Sequence, residues 1–212
     1  MKGSLEADQL IKNWPMRTIS VSFSVLPGQA LALLGPSGCG KSSVLRMLCG
    51  LLAQDSGRVL LDGTDVTKEK PYRRGIGMVF QDHALFPHLN VEDNIGYGLA
   101  TLGVGRKERR RIAGDWLSRF DLSGFGKRKI ESLSGGEKQR VALIRTLVMK
   151  PGVILFDEPL SSLDAPLRRR LQTELRSRQQ ELGYTAVYVT HDDDEARVLA
   201  DRIIRMEQQP DS

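Results

Sequence analysis

The sequence predicts an α/β fold with a mainly parallel central sheet, and three observations support this. Continuous apolar runs at Ala30–Leu34, 153–156 and 185–189 have the length of strands that are buried on both faces. A longer amphipathic pattern at 166–182 is typical of a helix, and Gly183 directly after it is a stop signal. Strands and helices that alternate along one chain are typical of βα units, in which the strands are parallel.

Two further segments add to this pattern. Residues 18–25 alternate apolar and polar side chains, which predicts a strand with Ile19, Val21, Phe23 and Val25 on one face. Shorter strands are predicted at 58–61 and 76–80, between turn signals.

The middle of the chain has a different character. Helical patterns cover 91–100, 108–120 and 135–149, with no apolar run of the strand type between them. We therefore expect one domain over 1–212, in which a helical subdomain at 82–150 is inserted into a catalytic core made of 1–81 and 151–212.

Composition narrows the class of protein. The 31 Lys and Arg exceed the 26 Asp and Glu by five, and this excess alone does not distinguish nucleic acid, an anionic membrane surface or nucleotide phosphates as the partner. The basic runs 106–111 and 168–170 lie on predicted amphipathic helices without an aromatic platform, so we expect no nucleic-acid partner. No apolar run reaches the roughly 18 residues of a membrane span, and the N-terminus lacks the pattern of a secretory signal. Two cysteines without a CxxC motif favour a reducing compartment.

The strongest motif is GPSGCGKS at residues 35–42, which fits GxxxxGK[ST] between a predicted strand and a predicted helix. Glycines allow the backbone to wrap around phosphate, Lys41 neutralises the terminal phosphates, and the Ser42 hydroxyl is a ligand for magnesium. Kinases, GTPases and many ATPases share such a loop, so it predicts nucleotide binding without fixing the reaction. The predicted phosphate-binding residues are Gly35, Pro36, Ser37, Gly38, Cys39, Gly40, Lys41, Ser42 and Ser43.

Four polar residues follow predicted strands at the edge where an open α/β sheet presents its ligands. Asp157 and Glu158 follow the run 153–156; Asp157 suits magnesium, and Glu158 is placed to accept a proton from an attacking water. His191 follows the next strand and is the candidate contact to the γ-phosphate, the alternative being a purely structural histidine. Gln81 also ends a strand, where its amide can reach magnesium or the attacking water.

A second anion site is predicted at LSGGEKQR, residues 133–140. Ser134 and two glycines open a helix, which offers a hydroxyl and main-chain N–H groups to phosphate. This segment closely resembles the signature motif of ABC ATPases. In the same resemblance, Gln81 is the Q-loop glutamine, FDEP at 156–159 is the Walker B segment, SSLD at 161–164 is the D-loop and His191 is the switch histidine.

The resemblance covers about residues 18–206 and implies a P-loop NTPase core with a mainly parallel sheet, an N-terminal antiparallel β subdomain and an inserted helical subdomain. It implies ATP and Mg²⁺ as ligands and a head-to-tail dimer with a second copy or a paralogous ATPase subunit. In such a dimer the phosphate loop of one subunit faces the signature of the other, with Asp164 at the interface. The signature residues that would contact the partner's ATP are Ser134, Gly135, Gly136 and Glu137. Trp14 is the candidate for stacking on adenine, the alternative being simple packing.

Other segments resemble the importer branch that serves maltose, polyamines, ferric iron, sulfate or thiamine; these are residues 80–99, 158–168 and 190–203. That resemblance implies an ATPase subunit at the cytoplasmic face of the membrane, bound to permease subunits and served by an extracytoplasmic solute-binding protein. Leu85, Phe86 and Pro87 either line the groove that receives a permease helix or are buried core. Since the chain stops at Ser212, no C-terminal regulatory domain is expected.

Two other functions fit the sequence less well. A soluble ABC protein acting as a nucleotide-gated clamp in DNA repair or translation would carry a long coiled coil or a second cassette, whereas here the Q-loop and signature are separated only by residues 82–132. The second is a P-loop kinase, whose reaction does not explain the presence of the signature segment at residues 133–140.

Overall fold

The computed structural model describes residues 3–15, 17–161 and 163–207. The chain divides into two compact units, the first made of 1–78 and 152–212 and the second of 79–151. The predicted division had its boundaries at 82 and 150.

The structure contains the following strands in chain order: β1 Leu5–Trp14, β2 Arg17–Val25, β3 Ala30–Leu34, β4 Ser56–Leu61, β5 Thr64–Asp65, β6 Ile76–Val79, β7 Val153–Asp157, β8 Thr185–Thr190 and β9 Arg202–Arg205. The α-helices are α1 Lys41–Leu48, α2 Val91–Ile95, α3 Tyr97–Thr101, α4 Arg106–Arg119, α5 Gly135–Leu147, α6 Ala165–Leu182 and α7 Asp193–Leu199. Short 3₁₀ turns occur at Pro71–Arg73 and Ile130–Ser132.

The central sheet has the order β6-β7-β8-β3-β9, and β3 pairs in parallel with both β8 and β9, as β7 does with β8. Every residue of β3, β7 and β8 is buried. This confirms the α/β fold class and explains why the three strands are continuous apolar runs rather than alternating ones. Since the strands are parallel, the residues after β3, β7 and β8 meet at one edge.

The second sheet of the first unit is antiparallel, with the order β2-β1-β4-β5. Its strand β1 was not predicted. The register of β1 shifts between Ala7 and Leu10, and Gln9 there has φ 46°. A β-bulge of this kind interrupts the period-2 pattern on which a strand prediction depends. Leu5, Ala7 and Leu10 are nevertheless all buried.

One hydrophobic core joins the two sheets and α1 within the first unit. It includes Leu5 and Leu10 from β1, Leu33 from β3, Leu45 from α1 and Val187 from β8. Helix α1 is therefore fixed by packing as well as by its hydrogen bonds.

The second unit is helical. The helix predicted over 91–100 is split into α2 and α3 at Gly96, where the backbone has φ −77° and ψ −3°. A Cβ at this glycine would lie 3.2 Å from the Glu92 carbonyl oxygen and 3.3 Å from the Arg109 Cβ, so the chain passes close to its neighbours here. Within the described ranges, no helix combines the length and the apolar composition that crossing a bilayer requires.

Candidate nucleotide site

The phosphate loop lies between β3 and α1, as predicted. Two of its glycines are required by the structure. A Cβ on Gly35 would lie 2.3 Å from the Met206 carbonyl oxygen, and Gly40 has φ 105° with the Ile19 side chain 2.2 Å from a built Cβ. The loop keeps its shape because no side chain fills these positions. Of the other predicted contact residues, Pro36, Ser37 and Gly38 are exposed, Cys39 is buried, and Ser43 is half-buried in the first turn of α1.

Lys41 is buried, and its ammonium group folds back over this loop. Its Nζ donates to the carbonyl oxygens of Gly35, at 2.7 Å, and Pro36, at 2.9 Å. The Oε1 atom of Glu158 lies 4.0 Å from the same Nζ. A cation held at the mouth of a glycine-rich loop is the arrangement that terminal phosphates require.

Ser42 and Asp157 meet across the sheet edge, and the Ser42 hydroxyl donates to Asp157 Oδ1 at 2.7 Å. A hydroxyl and a carboxylate are the hard oxygen ligands that magnesium prefers. In the part of the chain that the structure describes, no three His, Cys, Asp or Glu side chains cluster as a metal site. This donor set therefore fits an ion that takes its other ligands from substrate phosphates and water, as Mg²⁺ does.

Glu158 follows Asp157 with an unusual backbone. Its φ of 42° is in the left-handed region, and its N–H donates to the Val189 carbonyl oxygen at 3.0 Å. Such a conformation costs about 1 to 3 kcal/mol and persists where surrounding contacts hold it. The result is that the carboxylate lies beside His191, with Oε2 3.3 Å from Nδ1. The His191 side chain is 50% exposed and that of Glu158 is 18% exposed, so both remain open to water.

A buried network behind His191 was missed by the sequence interpretation. The Thr190 hydroxyl donates to Glu195 Oε2 at 2.7 Å, and the Glu195 N–H donates to Asp192 Oδ1 at 3.0 Å. Glu195 is 3% exposed, and burial raises the pKa of its carboxyl group. The pattern Asp-x-x-Glu at the start of a helix is a capping signal, and it could have identified this pair from the sequence.

The signature segment forms a capping box at the start of α5. The Ser134 N–H donates to Glu137 Oε2 at 2.7 Å, and the Glu137 N–H donates to the Ser134 hydroxyl oxygen at 3.4 Å. The hydrogen bond from Ser134 lowers the pKa of Glu137. Ser134 is exposed at the helix N-terminus, whose partial positive charge favours an anion.

Two further predicted site residues are Gln81 and Asp164. Gln81 belongs to the helical unit and follows β6. Asp164 caps α6 by accepting the Leu167 N–H at 2.9 Å, while its D-loop neighbour Ser162 lies outside the described residues. Their predicted roles stay predictions.

Trp14 ends β1 and is half-buried. Its ring is 5.3 Å from the Arg17 guanidinium carbon and 5.9 Å from Lys12 Nζ. The Arg17 guanidinium also donates to the Gly38 carbonyl oxygen, which connects this aromatic ring to the phosphate loop. Stacking on adenine is compatible with this position and stays a prediction.

A cavity of about 750 Å³ borders the loop on the β2 side. Its lining includes Gly38, Cys39, Ile19 and Met206, and it does not include Lys41 or the acidic pair. This cavity therefore lies beside Lys41 and the acidic pair rather than around them.

Comparison with known proteins agrees with this geometry. The profile of the family described as "ABC transporter" matches residues 19–161. Curated relatives named "Fe(3+) ions import ATP-binding protein FbpC" include those of Rhizobium etli, 55% identical over 88% of this chain and 53% of the relative, and Brucella abortus, 51% identical over 97% of this chain and 59% of the relative. That of Escherichia coli O157:H7 is 44% identical over 97% of this chain and 60% of its own length. The chain thus spans little more than half the length of the curated relatives it matches.

A solved structure is similar over nearly the whole chain. It is the dimeric post-hydrolysis state of the ATP-binding cassette MJ0796 bound to ADP and Pi, with a TM-score of 0.81 and 30% identity over 98% of this chain and 97% of that one. With a family profile over most of the chain, relatives above 50% identity and a cassette of the same fold, this chain belongs to the ABC transporter family.

Proposed function

We propose that the chain is the ATP-hydrolysing part of an ABC importer. The observation that carries the proposal is the meeting of Lys41, Glu158 and His191 at the carboxyl edge of β3, β7 and β8. This edge provides a cation for phosphate, a carboxylate for a water proton and a histidine beside that carboxylate.

The chain's own residues act as follows. Lys41 exchanges its two carbonyl partners for the terminal phosphates of ATP. Mg²⁺, held by Ser42 and Asp157, would supply charge neutralisation at those phosphates. Glu158 accepts the proton of the attacking water, and His191 orients the carboxylate and contacts the γ-phosphate. Gln81 keeps its predicted role at magnesium or the attacking water, and Trp14 keeps its predicted role at the adenine ring.

The second half-site is supplied in trans. Ser134 and the first turn of α5 offer a hydroxyl and a helix N-terminus to the ATP of a partner cassette, with Asp164 near the interface. The dimeric state of the similar cassette, which contains ADP and Pi, supports the pairing of two cassettes.

The importer relatives support the proposal of membrane partners. We place the chain at the cytoplasmic face of the membrane, bound to permease subunits, with an extracytoplasmic solute-binding protein delivering ferric ions as the cargo. The helical unit presents exposed apolar side chains that suit a permease helix. Tyr97 is 48% exposed with its ring 4.5 Å from that of Phe86, and Leu102 is 68% exposed. Leu85 is half-buried and Pro87 exposed, which favours the groove over the core interpretation.

Glu158→Gln tests the base. We expect Mg-ATP binding to be retained, turnover to fall by at least about 100-fold, and an ATP-bound dimer to accumulate. Glu181→Gln on the exposed face of α6 is the matched control and should hydrolyse ATP at the normal rate. Turnover by Glu158→Gln near the normal rate would exclude this residue as the base.

Ser134→Arg tests the trans arrangement. It should block hydrolysis without removing ATP from the phosphate loop of the same subunit, because the damage falls on the partner's nucleotide. In a mixed dimer with one mutant subunit, damage confined to the mutant's own phosphate loop would contradict head-to-tail pairing.

The cargo is tested by uptake. Deletion of the gene should lower energy-dependent uptake of radioactive ferric iron, with restoration by the normal chain and not by Glu158→Gln. Unchanged iron uptake would remove ferric iron as the cargo. Copurification with ribosomes or DNA instead of a membrane protein would favour the soluble clamp.

A further inference from the structure

The segment after Gln81 has a strained backbone. His83 and Ala84 have φ values of 66° and 47°, both in the left-handed region that residues with a Cβ seldom adopt. Two consecutive residues in this region need contacts that fix them. One is local, since the His83 N–H donates to the Phe80 carbonyl oxygen at 2.9 Å.

The His83 side chain makes a longer-range contact. The residue is 8% exposed, and its ring has Nδ1 3.1 Å from the Gln81 carbonyl oxygen and Nε2 3.3 Å from the Gly135 carbonyl oxygen. Gly135 is the first residue of α5, next to Ser134. One imidazole ring therefore touches the main chain of the Q-loop glutamine and the main chain of the signature.

A second contact ties the same segment to the same helix. From α5, Arg145 donates to the carbonyl oxygens of Ala84, at 2.6 Å, and His83, at 3.0 Å. Ten residues separate Gly135 from Arg145, which is about 15 Å along a helix. The segment 81–84 is therefore bonded to α5 at two separated points, one of them in the first turn of the helix.

We propose that His83 is a positioning residue that couples the main chain at Gln81 to the signature at the start of α5. The inference rests on the proposed function, in which Gln81 serves the chain's own ATP and Ser134 serves the partner's ATP. The ring thereby connects the two nucleotide sites of the dimer through one subunit. His83 affects the position of Ser134; it does not affect the affinity of the phosphate loop for ATP.

The test compares four forms of the full chain: the normal protein, His83→Phe, His83→Gln and His88→Phe. Phenylalanine keeps the ring volume and removes both nitrogens, whereas the side-chain amide of glutamine retains N–H donors for a carbonyl oxygen. His88 is an exposed histidine further along the chain, outside the segment 81–84, and serves as the control for the replacement itself.

In His83→Phe we expect kcat for ATP hydrolysis to fall about tenfold, with KM within about twofold, since a lost buried hydrogen bond is worth roughly that factor. His83→Gln should recover most of kcat and His88→Phe should match the normal protein. A kcat within about twofold of normal in His83→Phe, or a KM that rises as much as kcat falls, would overturn the proposal.

A readout without hydrolysis separates this inference from the proposed function. Hydrogen exchange at the Glu137 and Lys138 amides should be at least about threefold faster in His83→Phe than in the normal protein, without nucleotide. If the normal protein lacks ATPase activity and this exchange still accelerates, the proposed function fails and the coupling contact is retained. If the normal protein hydrolyses ATP and the exchange is unchanged, the coupling is wrong.

Discussion

Arg74 gives the most direct test of how the phosphate-loop helix is supported. The residue is 4% exposed, and its guanidinium donates four hydrogen bonds to main-chain carbonyl oxygens. Two of these belong to Met47 and Leu48 at the C-terminus of α1, at 2.8 and 2.9 Å. The cation lies at the negative end of the helix dipole and adds donors to the last carbonyls of α1, of which that of Met47 also accepts the Gly50 N–H at 3.1 Å.

Arg74→Met keeps the length of the side chain and removes every donor. At about 1 kcal/mol for each lost hydrogen bond, the free energy of unfolding should fall by about 4 kcal/mol. For a chain of this length, an unfolding entropy of about 2.1 cal/mol/K per residue converts that loss to a decrease in Tm of about 9 °C. Arg74→Lys should give an intermediate value, since an ammonium group cannot reach all four carbonyls in a fork.

Thermal unfolding followed by calorimetry measures the effect. The matched control is Arg73→Met, because Arg73 is adjacent and exposed; its Tm should change by no more than about 1 °C. A decrease smaller than about 3 °C in Arg74→Met would refute the reasoning that these carbonyls depend on the guanidinium.

Two further predictions concern the site. Gly40→Ala should weaken ATP affinity at least about tenfold and lower the free energy of unfolding by about 1 to 3 kcal/mol, because a Cβ at this position meets Ile19. The control is Gly63→Ala, since Gly63 has φ 74° with open space around it. A nucleotide titration should show unchanged ATP affinity in this control. For Glu195, the raised pKa means that the folded state holds the carboxyl proton to higher pH than the unfolded state does. The stability of the normal protein relative to Glu195→Gln should therefore fall as pH rises from the unfolded pKa, about 4.3, to the folded pKa. Measuring Tm of both forms across that pH range tests the sign. If the Tm of the normal protein rose relative to that of Glu195→Gln as the pH increased, the prediction would be contradicted.

Local sequence patterns predicted a structural element correctly where the residue types in it have a single physical explanation. The buried strands β3, β7 and β8 read as continuous apolar runs because both of their faces are covered, and Gly183 ends α6 with φ 65° as a stop signal should. The same signals failed at β1, where a bulge removes the alternation, and at Gly96, where a close approach to Arg109 splits a helix. Neither event has a pattern in the neighbouring residues.

The sequence by itself determined that a glycine-rich loop with Lys41 follows a buried strand, and that an acidic pair and a histidine follow two others. Only the tertiary structure decided that β8 lies between β3 and β7, because strand order depends on packing between distant segments. That order brings His191 to Glu158, and the left-handed backbone of Glu158 aims its carboxylate at the site. The contact of the His83 imidazole with Gly135 likewise joins residues far apart in the sequence, whereas the capping pair Asp192 and Glu195 has a local pattern.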